Sequence, residues 1–227
     1  MTSPRVTIIC GAYGVGKSEC AIALARMLPA PVTLIDLDVV NPYFRSREAR
    51  KLLEGEGITV IGSSLAIDTG VDVPAVSGAV VPALRDPARS VVVDLGGDPA
   101  GARAIRQFIP HLPADSTEVL YVVNRYRPEN GDIQRTIASV RAVEEEIGLS
   151  CGGLISNSHM LHETTCDHIN AGLRLCLEVT SKTQIPLAYT AGTRELLNSC
   201  GVLNGSTAES HMYVSTVLRE DWMNARR

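Results

Sequence analysis

A glycine-rich turn followed by a lysine and a hydroxyl can do phosphate chemistry. Residues 11–18, Gly11-Ala12-Tyr13-Gly14-Val15-Gly16-Lys17-Ser18, have that arrangement. They match G-x-x-x-x-G-K-S/T at every required position. Glycines let successive backbone N–H groups curl around phosphate oxygens, and a following helix adds the partial positive charge of its N-terminus. In such a loop Lys17 reaches the β- and γ-phosphates and the Ser18 hydroxyl ligates Mg²⁺. A second group lies at Asp94-Leu95-Gly96-Gly97, which fits D-x-x-G. There the aspartate holds Mg²⁺ through water, and the glycine N–H meets the γ-phosphate. A third is Asp36-Leu37-Asp38, two acids at the end of an apolar run. Together these residues describe a site for a nucleoside triphosphate and its metal.

Each group needs an element to carry it. Arg5–Cys10 is a short, β-branched run that reads as a buried strand, and Glu19–Leu28 is rich in helix formers and stopped by Pro29. Further strands are expected at 31–36 (running into Asp38), 58–61, 90–94, 118–124, 153–157 and, as the last, 184–189. Helices are expected over much of 42–54, over 72–84 and 102–108, over 133–147 by apolar spacing, and over about 163–179. Strands alternating with helices imply an α/β, three-layer α/β/α arrangement on a mostly parallel, twisted sheet. Ligands in such sheets bind at the carboxyl ends of strands, which is where each acid and amide singled out here lies.

The rest of the composition is permissive. The chain has 227 residues, 45% apolar and 20% charged, which suits one nucleotide-binding domain over residues 1–227. Residues 206–227 are expected to be a docked helix or a tail. A net charge of −4 gives no electrostatic case for nucleic acid. No apolar run approaches the ~18 residues of a membrane helix, and the N-terminus enters the first strand with no signal peptide, so a cytoplasmic location is expected. The six cysteines, at 10, 20, 151, 166, 176 and 200, contain no C-x-x-C pair and are expected to be reduced structural thiols. His159, His162, Cys166 and His168 fall close together, but no second ligand pair with zinc spacing accompanies them, which favours a polar loop near a nucleotide or partner over a metal site.

With the phosphate loop, D-x-x-G and Asp36-Leu37-Asp38 in place, the chain resembles the MinD/ParA family of P-loop ATPases, with its cobyrinic acid synthase and nitrogenase iron-protein relatives. The resemblance spans most of residues 5–192. It implies that Asp38 positions the attacking water and that Asp36 supports the metal side. It also implies that Asn157, ending Leu154-Ile155-Ser156-Asn157, hydrogen-bonds adenine. An amide presents donor and acceptor together, as the adenine edge requires. The guanine motif N-K-x-D is missing from Asn124-Arg125-Tyr126-Arg127, so ATP is expected rather than GTP. One departure concerns the family's extra lysine after the first glycine, which reaches a partner's ATP across a dimer. Ala12 stands there, and Arg45 and Arg47 are candidate replacements.

The resemblance implies an ATP-dependent switch with Mg²⁺ and weak ATPase activity. Such a switch forms a nucleotide-dependent homodimer or docks on a partner protein, for instance in metal- or corrinoid-protein maturation. A ligase or small-molecule kinase of the cobyrinic acid/dethiobiotin synthase type is the alternative, with an acceptor pocket formed by residues 62–74 or 125–132. Structural ATP without turnover is a third reading.

Overall fold

Short runs of valine and isoleucine, buried on both faces, build the centre of the molecule. The computed structural model describes residues 4–38, 47–62, 78–97, 99–200 and 210–215. Eight strands, β1 (Val6–Cys10), β2 (Val32–Leu37), β3 (Ile58–Gly62), β4 (Ser90–Leu95), β5 (Thr117–Val123), β6 (Gly153–Ser156), β7 (Leu187–Gly192) and β8 (Ser210–Tyr213), form one sheet. Their order is β3-β2-β4-β1-β5-β6-β7-β8, and every pairing is parallel. The helices are α1 (Lys17–Met27), α2 (Arg47–Gly55), α3 (Val80–Arg85), α4 (Pro99–Arg103), α5 (Ile133–Ile147), α6 (Cys166–Thr183) and α7 (Arg194–Ser199).

Alternate residues of each central strand feed two cores. Ile8, Val93 and Tyr121 face one, beneath Val140 of α5 and Leu175 and Val179 of α6. Ile9, Val92 and Val122 face the other, beneath Cys20 and Leu24 of α1 and Leu53 of α2. The result is the expected α/β/α sandwich. Each wholly buried valine or isoleucine contributes about 1.5–3 kcal/mol over its exposed state. The helix ends are set locally: Asp132 accepts from the Arg135 N–H at 2.9 Å to start α5, and Gly148, at φ 75°, ends it.

Register brings the acids together. Asp36 of β2 lies opposite Asp94 of β4, which in turn neighbours Ile9 of β1. The carboxyl ends of β1, β2 and β4 therefore converge where the phosphate loop leaves β1.

The structure departs from the sequence expectations in several places. α6 begins at Cys166, later than expected, because Leu161–Glu163 form a separate 3₁₀ turn and Thr165 with His168 makes the capping box. After α4, residues Ala104–His111 continue as a 3₁₀ helix containing Pro110. β7 starts only after Pro186 and runs on to Gly192, where it meets β8. β8 was expected to be helix or tail; its Ser210–Tyr213 is a strand anchored by Met212, which is wholly buried. Four residues with one apolar anchor carry too little periodicity to announce a strand. Residues 39–46 and 63–77 lie outside the described residues. So do Arg45, the side chain of Arg47, most of the 62–74 segment proposed as an acceptor pocket, and the remainder of the 206–227 segment.

The cysteine expectation is corrected. Cys166, the first residue of α6, and Cys200, the C-cap of α7, form a disulfide, while Cys10, Cys20, Cys151 and Cys176 are free. Folding brings together two residues 34 apart in sequence, which spacing alone does not reveal. Alkylation of the oxidised, denatured protein should label four cysteines and, after reduction, all six. Mass spectrometry reads this directly, and six labelled without reduction contradicts the bridge. Closing a loop of that length stabilises the folded chain by roughly 3–4 kcal/mol in the chain-entropy account, so Cys200→Ser should lower the melting temperature of oxidised protein only.

Candidate nucleotide-binding site

The loop between β1 and α1 is shaped by what surrounds it. Gly16 caps α1 at φ 88°, and a Cβ there would collide with the Asn157 amide, so this position tolerates no side chain. Lys17 is almost fully buried and donates from Nζ to the Ala12 carbonyl at 3.0 Å, folding its charge back across the loop. The loop after β4 closes on it. A Cβ on Gly97 would lie 2.6 Å from Lys17 Nζ and 2.9 Å from Tyr13 Cα. Sequence reasoning named Lys17 and Gly97 separately; the fold sets them side by side.

Behind them lie the acids. Asp94 is buried, and its Oδ1 has no hydrogen-bond partner. Burial pushes its carboxyl pKa up to about 8, with the neighbouring Asp36 adding to the rise; a Ser18 hydrogen bond and the Lys17 charge oppose it, and Asp38 adds to it again. Asp36 Oδ1 accepts the Asp38 N–H at 2.9 Å. Asp38 Oδ1 lies 3.2 Å from the position of a Cβ on Gly96, and Gly96 in turn abuts Gly101 of α4. The aspartate expected to orient water thus faces the D-x-x-G segment. Among the described residues no group of three or more His, Cys, Asp or Glu is placed to hold a metal by itself. Ser18 and Asp94, with an orphaned carboxylate oxygen, nonetheless fit a hard divalent ion whose other ligands are phosphate oxygens and water.

Asn157 is brought to the same place from β6. It is buried, and its Nδ2 donates to the Val15 carbonyl at 2.9 Å. Part of the amide expected to read a base therefore braces the phosphate loop. Beyond it opens a cavity of about 420 Å³, lined by Gly16, Glu19, Asn157, His159, Ile169 and Thr193 among others. Its size suits a small molecule, and it continues from the phosphate loop along the ends of β6 and β7. The His159 ring borders it, with Nε2 3.5 Å from the Gly16 Cβ position.

The rest of the histidine segment has other uses. Cys166 is in the disulfide, and His168 caps α6 and stacks edge-on against Tyr126 at 5.0 Å. Two contributors escaped the sequence. Glu19 is buried in the first turn of α1, and Arg127 donates from Nε to the Gly14 carbonyl at 2.8 Å across 113 residues. Neither carries a motif, and only the fold brings Arg127 to the loop.

No family model matches the chain, and neither does any curated protein. Solved structures do. FtsY from Thermotoga maritima is 22% identical with a TM-score of 0.54, over 83% of this chain and 61% of that one. Chloroplast FtsY from Physcomitrella patens is 16% identical with a TM-score of 0.52, over 84% and 59%. The signal recognition particle receptor FtsY from Elizabethkingia anophelis, in complex with GDP, is 20% identical with a TM-score of 0.50, over 84% and 57%. The chain spans about three fifths of the length of these proteins. The likeness establishes the fold: α/β, P-loop NTPase-like, on a parallel sheet. Among the described residues no helix is long and apolar enough to cross a membrane.

The buried acid makes a pH prediction. A carboxyl that binds its proton more tightly folded than unfolded stabilises the fold fully below the ordinary carboxylate pKa, and that stabilisation is lost as pH rises through about 8. Metal-free protein should therefore melt at progressively lower temperature as pH is raised from about 5 to about 8, and Asp94→Asn should flatten that slope. Calorimetric melting at several pH values with chelator present measures it; parallel slopes for both proteins contradict the assignment.

Proposed function

We propose that the chain is an ATP-binding switch of the MinD/ParA-like kind, with Mg²⁺ and slow hydrolysis, acting on a protein partner or through a nucleotide-dependent homodimer in the cytoplasm. The observation that carries this reading is the closure of Gly97 onto Lys17 and Tyr13, which completes a phosphate cradle from two separate strand ends. In the cradle the N–H groups of residues 14–18 and the Lys17 ammonium hold the phosphates. Ser18 and Asp94 hold the metal, which neutralises charge on the phosphate oxygens when bound. Asp38, beside the D-x-x-G segment, orients the attacking water. Adenine occupies the cavity beyond Asn157, using the amide atoms that the Val15 bond leaves available. ATP rather than GTP rests on Asn157 and on the missing acid after Asn124; the GDP in the Elizabethkingia FtsY makes the comparison worth measuring.

One observation favours the transfer-enzyme alternative. A smaller cavity of about 170 Å³ adjoins the loop on its other side, lined by Ala12, Tyr13, Gly97, Glu129 and Ser139 among others. Glu129 belongs to the 125–132 segment expected to form an acceptor pocket. Turnover stimulated more than about tenfold by one small hydroxylated or amine metabolite would favour this reading over the switch.

Three variants test the switch reading. Lys17→Ala should abolish or greatly weaken Mg-ATP binding in a calorimetric titration while the fold persists; unchanged affinity removes the phosphate-loop assignment. Asn157→Ala should erode the preference for ATP over GTP by about 1–3 kcal/mol in competition binding. Asp38→Asn should keep near-normal Mg-ATP affinity and slow single turnover by about 10²-fold or more. A wild-type rate in that variant rules out water orientation by Asp38.

A further inference from the structure

Ala12 leaves this phosphate loop without the second cation that the MinD/ParA-like resemblance would place after the first glycine. The fold brings another. Arg127 leaves a turn whose backbone is held at several points. Its own N–H donates to the Asn124 carbonyl at 3.0 Å, the Tyr126 N–H to Asn124 Oδ1 at 3.0 Å, and the Arg125 N–H to Ser158 Oγ at 2.9 Å. Asn124 and Asn130, at the two ends of the turn, are wholly buried. From this mount the guanidinium reaches the phosphate loop at Gly14. Nε donates to the Gly14 carbonyl at 2.8 Å, and Cζ and Nη2 lie 3.6 and 3.7 Å from the Gly14 Cβ position. Among the described residues Gly14 is the one hydrogen-bond partner of this guanidinium. One edge is therefore anchored to the loop, and the two Nη groups carry the remaining donors.

We propose that Arg127 is an arginine supplied in cis to the phosphates: anchored through Nε on Gly14, it offers its Nη groups to the charge that develops when the γ-phosphoryl is transferred. The inference rests on the nucleotide-hydrolysis reading above. In that reaction the water oxygen bonds to the γ-phosphorus. The bond from that phosphorus to the β–γ bridging oxygen breaks, and the bridging oxygen leaves with the electron pair as ADP. The products are ADP, inorganic phosphate and one proton. Arg127 and Lys17 then flank the loop with two fixed charges, and neither has to reorganise as the bridging oxygen becomes an anion. A planar fork suits this double duty, because its donors are spread over three nitrogens fixed in one plane, whereas a lysine carries all of its donors on one terminal nitrogen.

The test separates chemistry from binding and from loop bracing. Wild type, Arg127→Gln and Arg127→Lys are compared in single-turnover hydrolysis at saturating Mg-ATP, and in titrations with Mg-ADP with and without tetrafluoroaluminate. Both variants should bind Mg-ADP within about tenfold of wild type. Both should lose turnover by about 10²-fold or more, given that arginines acting on transferring phosphoryl groups contribute about 10³–10⁵. They should also lose the affinity that wild type gains from the fluoroaluminate. Guanidinium ion added to Arg127→Ala should restore part of the rate. Three results overturn the proposal: turnover of Arg127→Gln within about threefold of wild type; a lysine variant fully active, which leaves only bracing or a point charge; or wild-type protein that binds Mg-ADP yet gains nothing from fluoroaluminate. Wild-type protein that binds no Mg-nucleotide at all overturns instead the reading on which the proposal rests.

Discussion

Parallel register places Asp36 and Asp94 on neighbouring strands at the same level, with Asp94 buried and Asp36 partly exposed. Burial, and after it the neighbouring Asp36 carboxylate, hold the Asp94 carboxyl pKa up. Against that act the Ser18 hydroxyl and the Lys17 ammonium at the entrance to α1. The site is thus built around an electrostatic deficit. The sheet concentrates carboxylates beneath the phosphate loop, a charge that a divalent ion in the proposed site would shield from the phosphates. Lys17 folds onto Ala12, and Gly97 lies so close to Lys17 that a methyl group there would displace it. Close approach of backbone to a buried cation is what the glycine allows.

Much of this was legible in the sequence, and the reason is local. A phosphate loop needs consecutive residues, so Gly11 to Ser18 announced both the loop and the strand and helix that flank it. Buried parallel strands appear as unbroken apolar runs, which is why β1, β4 and β5 were found within a residue or so of their observed ends. The illegible parts depend on contacts between distant segments. β8 is held by pairing with β7 and by one buried methionine, the disulfide joins two helix ends, and Arg127 reaches Gly14 across 113 residues of sequence from the turn after β5, the spatial neighbour of β1. Asn157 was legible as a strand-end amide, but its bond to Val15 was not, because nothing in a strand-end asparagine says which of its atoms is engaged.

The cavity beyond Asn157 is bounded by segments with different kinds of support. The floor is sheet and phosphate loop, fixed by the two cores. The walls are the segment after β6, which turns through Leu161–Glu163 into α6, and the segment after β7, which turns at Thr193 into α7. The bridge between Cys166 and Cys200 ties these two walls to each other rather than to the floor. Ile169 and Leu197 supply a small apolar cluster between them.

The bond from Asn157 to Val15 makes the two ends of the site one mechanical object. In the proposed role, an amide that touches a base while gripping the backbone between Gly14 and Gly16 would act as a ruler: the distance from base to phosphates would be set by covalent geometry and one hydrogen bond. A base that seats poorly therefore tilts the cradle as well as losing its own contacts. Discrimination between nucleotides at such a site appears in the rate at which a bound triphosphate reaches its reactive alignment as much as in how tightly it is held.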